Sequence, residues 1–207
     1  SQHVKESFLL HQYPENRIFV NPYGVDLSMF KPLPNIPKKY DVIMVGGWGY
    51  EKGCDLIVEA IRKTNYSFIH VGSIKDVDFP QEKNFTHIDP VDQSKLIEYY
   101  NQAKVFILPS RQDGFGMVLS QALACNLPII GSNNCGAPDL KKMVELPEYI
   151  TIIKDYTADA IVTAIHTAIK NYEQLGERIY AGNAIENLTW EAYGKRYANF
   201  LHKIIKQ

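Results

Sequence analysis

Cysteine is scarce in this sequence. Its 207 residues include three, Cys54, Cys125 and Cys135. An odd count at wide spacing excludes a closed disulfide framework, and no pair has metal-ligand spacing. Each stands beside small or apolar residues, so buried free thiols and a reducing, cytoplasmic setting are expected. An excess of charge of one sign is lacking too. The 22 basic and 23 acidic residues leave a formal net charge of -1. That balance argues against nucleic acid as a partner and leaves a membrane a peripheral role at most. No apolar run approaches the ~20 residues of a spanning helix, and no signal peptide is visible. An initiator Met is absent, and the opening Ser1-Gln2-His3-Val4 reads as mid-pattern, as in a fragment of a longer protein. No Ser nucleophile elbow, His-Glu-x-x-His or Walker motif is present. The histidines (His3, His11, His70, His87, His166 and His202) are scattered, and no metal is expected. Aromatic residues form 12% of the chain but no ordered stacking platform, which again excludes a nucleic-acid reader.

What is present is a core-forming composition, 45% hydrophobic, and a regular alternation starting near Tyr40. Apolar runs at 41–45, 67–71, 85–88, 105–108, 128–130 and 149–153 read as strands. Between and after them lie amphipathic stretches. One carries Leu56, Ile57, Ala60 and Ile61 on a single face, another spans Met117 to Ala124. Three more are expected at Ala158 to Tyr172, Leu175 to Asn187 and Trp190 to Ile205. The alternation predicts an α/β fold, a Rossmann-like doubly wound parallel sheet in the order 3-2-1-4-5-6, with a C-terminal helix. In that order the first and fourth strands are neighbours, and ligands bind at their C-terminal ends. The first strand ends in Gly46-Gly47-Trp48-Gly49-Tyr50-Glu51-Lys52-Gly53, and the fourth in Pro109-Ser110-Arg111-Gln112-Asp113-Gly114-Phe115-Gly116. These two loops are expected to meet at one crevice.

Each residue there has a chemical and a bland reading. Lys52, after a glycine-rich turn near a helix start, can reach a phosphate, or it is a solvated surface lysine. Gly114-Phe115-Gly116 can present backbone N–H groups to a ligand, or it is an ordinary tight connection. Asp113 can accept from hydroxyl-rich ligands, or it caps a helix. Gly114, Met117, Val118 and Gln121 share a helix face, so Gln121 borders the crevice or is solvated. A buried, satisfied histidine is the expectation for His70 and His87. A dinucleotide-dependent oxidoreductase is disfavoured, because Gly47-Trp48-Gly49 leaves the glycine fingerprint incomplete and Gly72-Ser73 follows Val71 where an acid is needed.

Read together, five segments resemble group 1 glycosyltransferases of the GT-B fold. They are Asn21-Pro22-Tyr23-Gly24-Val25-Asp26 with Phe30-Lys31-Pro32, Val45-Gly46 through Leu56, Asp113 through Pro128, Gly136-Ala137-Pro138-Asp139-Leu140, and Thr189-Trp190-Glu191. The resemblance covers essentially the whole chain. It implies one half of a GT-B fold. Residues 1–36 would end a missing N-terminal domain and form the linker, 37–188 would bind the donor, and 189–207 would pack toward the missing domain. It implies a retaining hexosyltransferase of polysaccharide biosynthesis. A nucleotide-sugar would be its donor, and a saccharide or lipid-linked acceptor would sit on the missing domain. No other cofactor is implied, and the chain alone is expected to bind without turnover.

By the same resemblance Lys52 neutralises the departing diphosphate and Asp113 faces the donor sugar, the two positions expected to be catalytic. Gly114, Phe115, Gly116, Met117 and Val118 hold phosphate and sugar, with Gly46 and Gly47 in the facing loop. Gln121 faces the ribose, and main-chain groups near Val91 hold the base. The family's two glutamates are Asp113 and Gln121 here, and its arginine partner to the lysine is Gly47. Arg111 is the nearby candidate for the missing cation. These departures support an alternative, a catalytically degenerate nucleotide-binding or assembly module of the same fold.

Overall fold

Why the strands form where they do is clearest at the first. In a parallel sheet covered on both faces a central strand can be apolar at every position. Of β1 (Tyr40–Val45), the residues Val42 to Val45 are all buried. The same holds for β2 (Phe68–Val71), and for all of β4 (Ala103–Leu108) except Lys104. The computed structural model describes residues 1–176 and 178–206. Its sheet adds β3 (Phe85–Ile88), β5 (Ile129–Ser132) and β6 (Ile150–Ile153), all paired in parallel in the order β3-β2-β1-β4-β5-β6. The expected doubly wound sheet is therefore the observed one.

Helices fill both faces. Right-handed crossovers put α2 (Cys54–Lys63) on one face and α3 (Gln93–Gln102), α4 (Met117–Ala124) and α5 (Ala137–Lys141) on the other. The long α6 (Ala158–Leu175) returns to pack on α2 and under β4 to β6. Thr157 starts it by accepting the Ala160 N–H at 3.2 Å. At the ends of the chain lie α1 (Gln2–Leu10) and α7 (Trp190–Ile205), the latter capped by Thr189. The segment before β1 runs along α7. Phe19 stacks on Phe200 at 4.1 Å, and Arg196 donates to Asn21 Oδ1 and the Pro22 carbonyl. All three cysteines are free and buried. Burial pushes the Cys54 and Cys125 thiols up to about 12.

One expected element differs. The helix anticipated over residues 175–187 does not form. Instead α6 runs on to Leu175, Gly176 ends it at φ 58°, and tight 3-10 turns span Gly182–Leu188. Gly182 also has φ 58°, and a side chain there would strike the Glu145 carboxylate. Two glycines in the left-handed half of conformational space outweigh the apolar pattern between them. Glu177, within that expected helix, and Gln207, the last residue of the expected C-terminal segment, lie outside the described residues.

Candidate functional site

At the C-terminal end of β1 the chain turns through Gly46 and Gly47 and closes into a single 3-10 turn, Tyr50–Lys52. Gly53 then adopts φ 73°, and a side chain on it would collide with the Pro109 carbonyl. That contact brings the β1 loop against the loop that follows β4. Arg111 N donates to the Glu51 carbonyl at 2.8 Å and reinforces it. Lys52 and Asp113, 61 residues apart, consequently meet: Lys52 Nζ lies 2.7 Å from Asp113 Oδ2. Both side chains are mostly buried, 21% and 15% exposed, so the pair is only partly screened by water.

Asp113 does not cap α4. Its Oδ1 accepts the Phe115 N–H at 3.1 Å, which shapes an Asx turn, while Oδ2 faces Lys52. The loop is held from below as well. Asp113 N donates to the Asn134 carbonyl, Gly136 N to the Phe115 carbonyl, and Ser132 Oγ to the Ser110 carbonyl. Gly116, at φ 76°, then caps α4. The consequence is electrostatic. Among the described residues, the N–H groups of Gly114, Gly116, Met117 and Val118 have no protein acceptor. They form a cluster of donors at the positive end of a helix, a setting that favours an anion.

These groups open into a cavity of about 750 Å³. Val45, Gly46, Lys52, Leu108 and residues Asp113 to Val118 form one wall. A side chain added at Gly46 or Gly114 would meet nothing within 4 Å. The opposite wall comes from α1, residues 18–21, Tyr23, and Tyr193 and Tyr197 of α7. Across its mouth Ser1 Oγ donates to the Gly114 carbonyl at 2.6 Å. Sequence reasoning overlooked this aromatic wall, although Trp190, Tyr193 and Tyr197 repeat at the spacing of one helix face.

Not every anticipated residue reaches the cavity. Arg111 does not line the cavity. It forms a bidentate pair with Asp55 at 2.6 and 2.8 Å, donates to the Tyr50 carbonyl, and stacks over the Tyr50 ring at 3.7 Å. Its fork is spent on structure, because three acceptors surround it from the β1 loop and α2. Val91 packs against the hydrophobic core and is not among the residues that line the cavity. Gly47 is not in the wall either, though Gly46 is. Gln121 is neither solvated nor on the main cavity. It is buried, its Oε1 accepts the Tyr100 hydroxyl at 2.9 Å, and it lines an adjoining recess of about 170 Å³ with Met117, Asp26 and Trp190. Tyr100 is fully buried and donates to it, so the Gln121 amide is left with its N–H groups to offer.

The expectation of a buried, satisfied histidine holds for His70, whereas His87 is only partly buried. His70 is fully buried and its Nε2 donates to the Gly46 carbonyl at 2.8 Å. Burial pulls its pKa down to about 4. Its Nδ1 then accepts from His87 Nδ1, 3.0 Å away. The pair ties the crevice glycine to β2 and β3. No group of three His, Cys, Asp or Glu among the described residues is arranged to hold a metal. Among them, too, no helix is long and apolar enough to cross a membrane.

Comparison with known proteins agrees with this fold. The profile of the family described as "Glycosyl transferases group 1" matches residues 27–184. A probable sucrose-phosphate synthase of Thermosipho melanesiensis is 25% identical over 92% of this chain and 49% of its own length. A GDP-mannose-dependent mannosyltransferase of Mycolicibacterium smegmatis is 24% identical over 87% of this chain and 55% of its own length. The chain thus spans about half the length of these relatives. Among solved structures, HepE of Anabaena in complex with UDP and glucose superimposes with TM-score 0.78 at 15% identity, covering 98% of this chain and 62% of HepE. The C-terminal domain of a group 1 glycosyl transferase from Francisella tularensis superimposes with TM-score 0.64 at 21% identity, over 79% of this chain and 95% of that domain. At such identities these structures establish the fold alone.

Proposed function

The chain belongs to the group 1 glycosyltransferase family, and from that premise we propose that it is the donor-binding part of a retaining glycosyltransferase. The donor is a nucleotide-sugar and the acceptor a saccharide or a lipid-linked saccharide. One observation carries the reading: four unpaired backbone N–H groups, a lysine and a carboxylate converge on one cavity at the switch point of a parallel sheet. Phosphate oxygens accept from the N–H cluster at the start of α4, and Lys52 turns from Asp113 to the diphosphate. Its charge counts most as the diphosphate departs, because negative charge grows there toward the transition state. Asp113, released, accepts from sugar hydroxyls. The ribose extends over Met117 toward Gln121, whose free N–H groups donate to its oxygens.

The acceptor site lies on a part of the protein beyond this chain. The chain spans about half the length of its curated relatives, which supports that division. Calorimetry with UDP, GDP and ADP tests the proposal. One of them binds, and Lys52→Ala weakens that binding about tenfold or more, the size of a charge-assisted contact. No binding of any of the three at millimolar concentration overturns it.

A second reading is favoured by the closed Lys52–Asp113 pair and by the commitment of Arg111 to Asp55. In it the fold persists as a nucleotide-binding or assembly module without transfer. Transfer or hydrolysis of a sugar-nucleotide by the full-length protein excludes it.

A further inference from the structure

The loop after β2 lays a second cation over the β1 loop. A Cβ built on Gly47 would fall 2.6 Å from Cε of Lys75, 3.1 Å from Cδ and 3.3 Å from Nζ. The lysine side chain therefore lies in the space that any larger residue at position 47 would fill. It is not there by the accident of a loose loop. Trp48 N donates to the Ser73 carbonyl at 2.7 Å and Lys75 N to the Trp48 carbonyl at 3.0 Å. A parallel bridge joins Trp48 to Ile74. Asp76, the next residue, is held by accepting the Tyr50 N–H at 2.8 Å. The β1 loop and the loop after β2 are zipped together, and the zipper sets Lys75 over Gly47.

Charge decides what this arrangement is for. Three nearby cations already have carboxylate partners: Lys52 with Asp113, Lys5 with Glu15 and Arg111 with Asp55. Among the described residues, Lys75 has no carboxylate within 4.0 Å and its Nζ makes no hydrogen bond. Lys52 and Asp113 cancel one another, so the cavity has no net positive side chain on the β1 side. A diphosphate bears a negative charge on each phosphate, and Lys52 alone cannot balance both.

We propose that Lys75 is a phosphate-binding residue, its ammonium reaching across Gly47 to the diphosphate of the ligand held at Gly46 and Lys52. The inference rests on the donor-site reading above and names a residue that it lacks. Gly47 serves this role by being small: it leaves room for the lysine.

The test compares binding of UDP, GDP and ADP, and of the matching nucleosides, to the wild-type chain and its variants. Lys75 is solvent-exposed, so Lys75→Met folds normally, which circular dichroism checks. Lys75→Met weakens the bound nucleoside diphosphate about tenfold and leaves the nucleoside unchanged. Lys75→Arg restores the diphosphate. Gly47→Val, which displaces the lysine without removing its charge, reproduces the loss. Unchanged diphosphate affinity in Lys75→Met overturns the inference while the donor-site reading stands. Failure of the wild-type chain to bind any nucleotide overturns both.

Discussion

Asp113 serves two groups with one carboxylate, and the division decides how its variants behave. Oδ1 shapes the turn through the Phe115 N–H, and Oδ2 holds Lys52. An asparagine keeps a carbonyl oxygen for the turn but loses the charge that competes with a phosphate for the lysine. Asp113→Asn should therefore bind nucleoside diphosphate more tightly, by roughly fivefold for a partly screened ion pair. If the proposed donor site is right, the same variant of the full-length protein should lose transfer, since the carboxylate proposed to face the sugar is gone. Tighter binding with lost turnover separates a role at the sugar from a merely structural one. Equal or weaker diphosphate binding in titration calorimetry would show that Asp113 does not restrain Lys52. At this scale the Gln121 position is also explained. The buried Tyr100 hydroxyl takes its oxygen, so the amide faces the recess as a donor.

Among the elements, the start of α4 carries the most consequence. Two glycines flank Phe115 there, and they differ in what they tolerate. Gly116 sits at φ 76°, and a Cβ on it would come within 2.8 Å of Leu108 Cδ2. Gly114 faces open space and has no such φ. Gly116→Ala should destabilise the chain by about 1–2 kcal/mol, from left-handed strain and crowding under α4. Gly114→Ala should change stability by less than about 0.5 kcal/mol. Both should weaken diphosphate binding, the first by deforming the N–H cluster, the second by placing a methyl group in the cavity. Urea unfolding midpoints, measured beside calorimetry, distinguish the two. Similar losses of stability would mean that the turn at Gly116 is not strained.

For the molecule as a whole, one buried group links the sheet to the site and makes stability depend on pH. His70 is neutral in the core, with a folded pKa of about 4 against an ordinary 6.5, because burial penalises its charged form. The Gly46 carbonyl, which favours the proton, and the neighbouring His87, which opposes it, are lesser influences. Trp48 and Phe79 wall the ring, and Asp89 reaches His87 from the outside at 3.4 Å. The unfolded chain takes up a proton near pH 6.5 and the folded chain only near 4. Between those values the unfolded state holds more protons, so stability is complete above 6.5 and falls as the pH drops toward 4. The full loss is about 3 kcal/mol. His70→Gln keeps a donor for the Gly46 carbonyl and should flatten that slope in urea titrations between pH 7 and 4.5. An unchanged slope would assign the acid sensitivity to other groups.

The sequence by itself determined the sheet. Its strands are short apolar runs between amphipathic helices, and burial on both faces leaves that pattern one economical arrangement. The meeting of the Lys52 and Asp113 loops was legible for the same reason, because strand order alone makes the ends of β1 and β4 neighbours. The failed helix over 175–187 shows where pattern stops. Gly176 and Gly182 take backbone angles that no apolar periodicity reveals. Only the tertiary structure decided who partners whom. In the chain Arg111 reads as a spare cation, yet it pairs with Asp55 of α2, and Gln121 reads as bordering the crevice or solvated, yet it is buried and bonded to Tyr100. Lys75 carried no signal at all, since it stands 28 residues beyond Gly47 and meets it only through the zipper at Trp48. Side-chain charge is visible in a sequence, whereas its cancellation depends on distances of a few ångströms between residues that the chain keeps far apart.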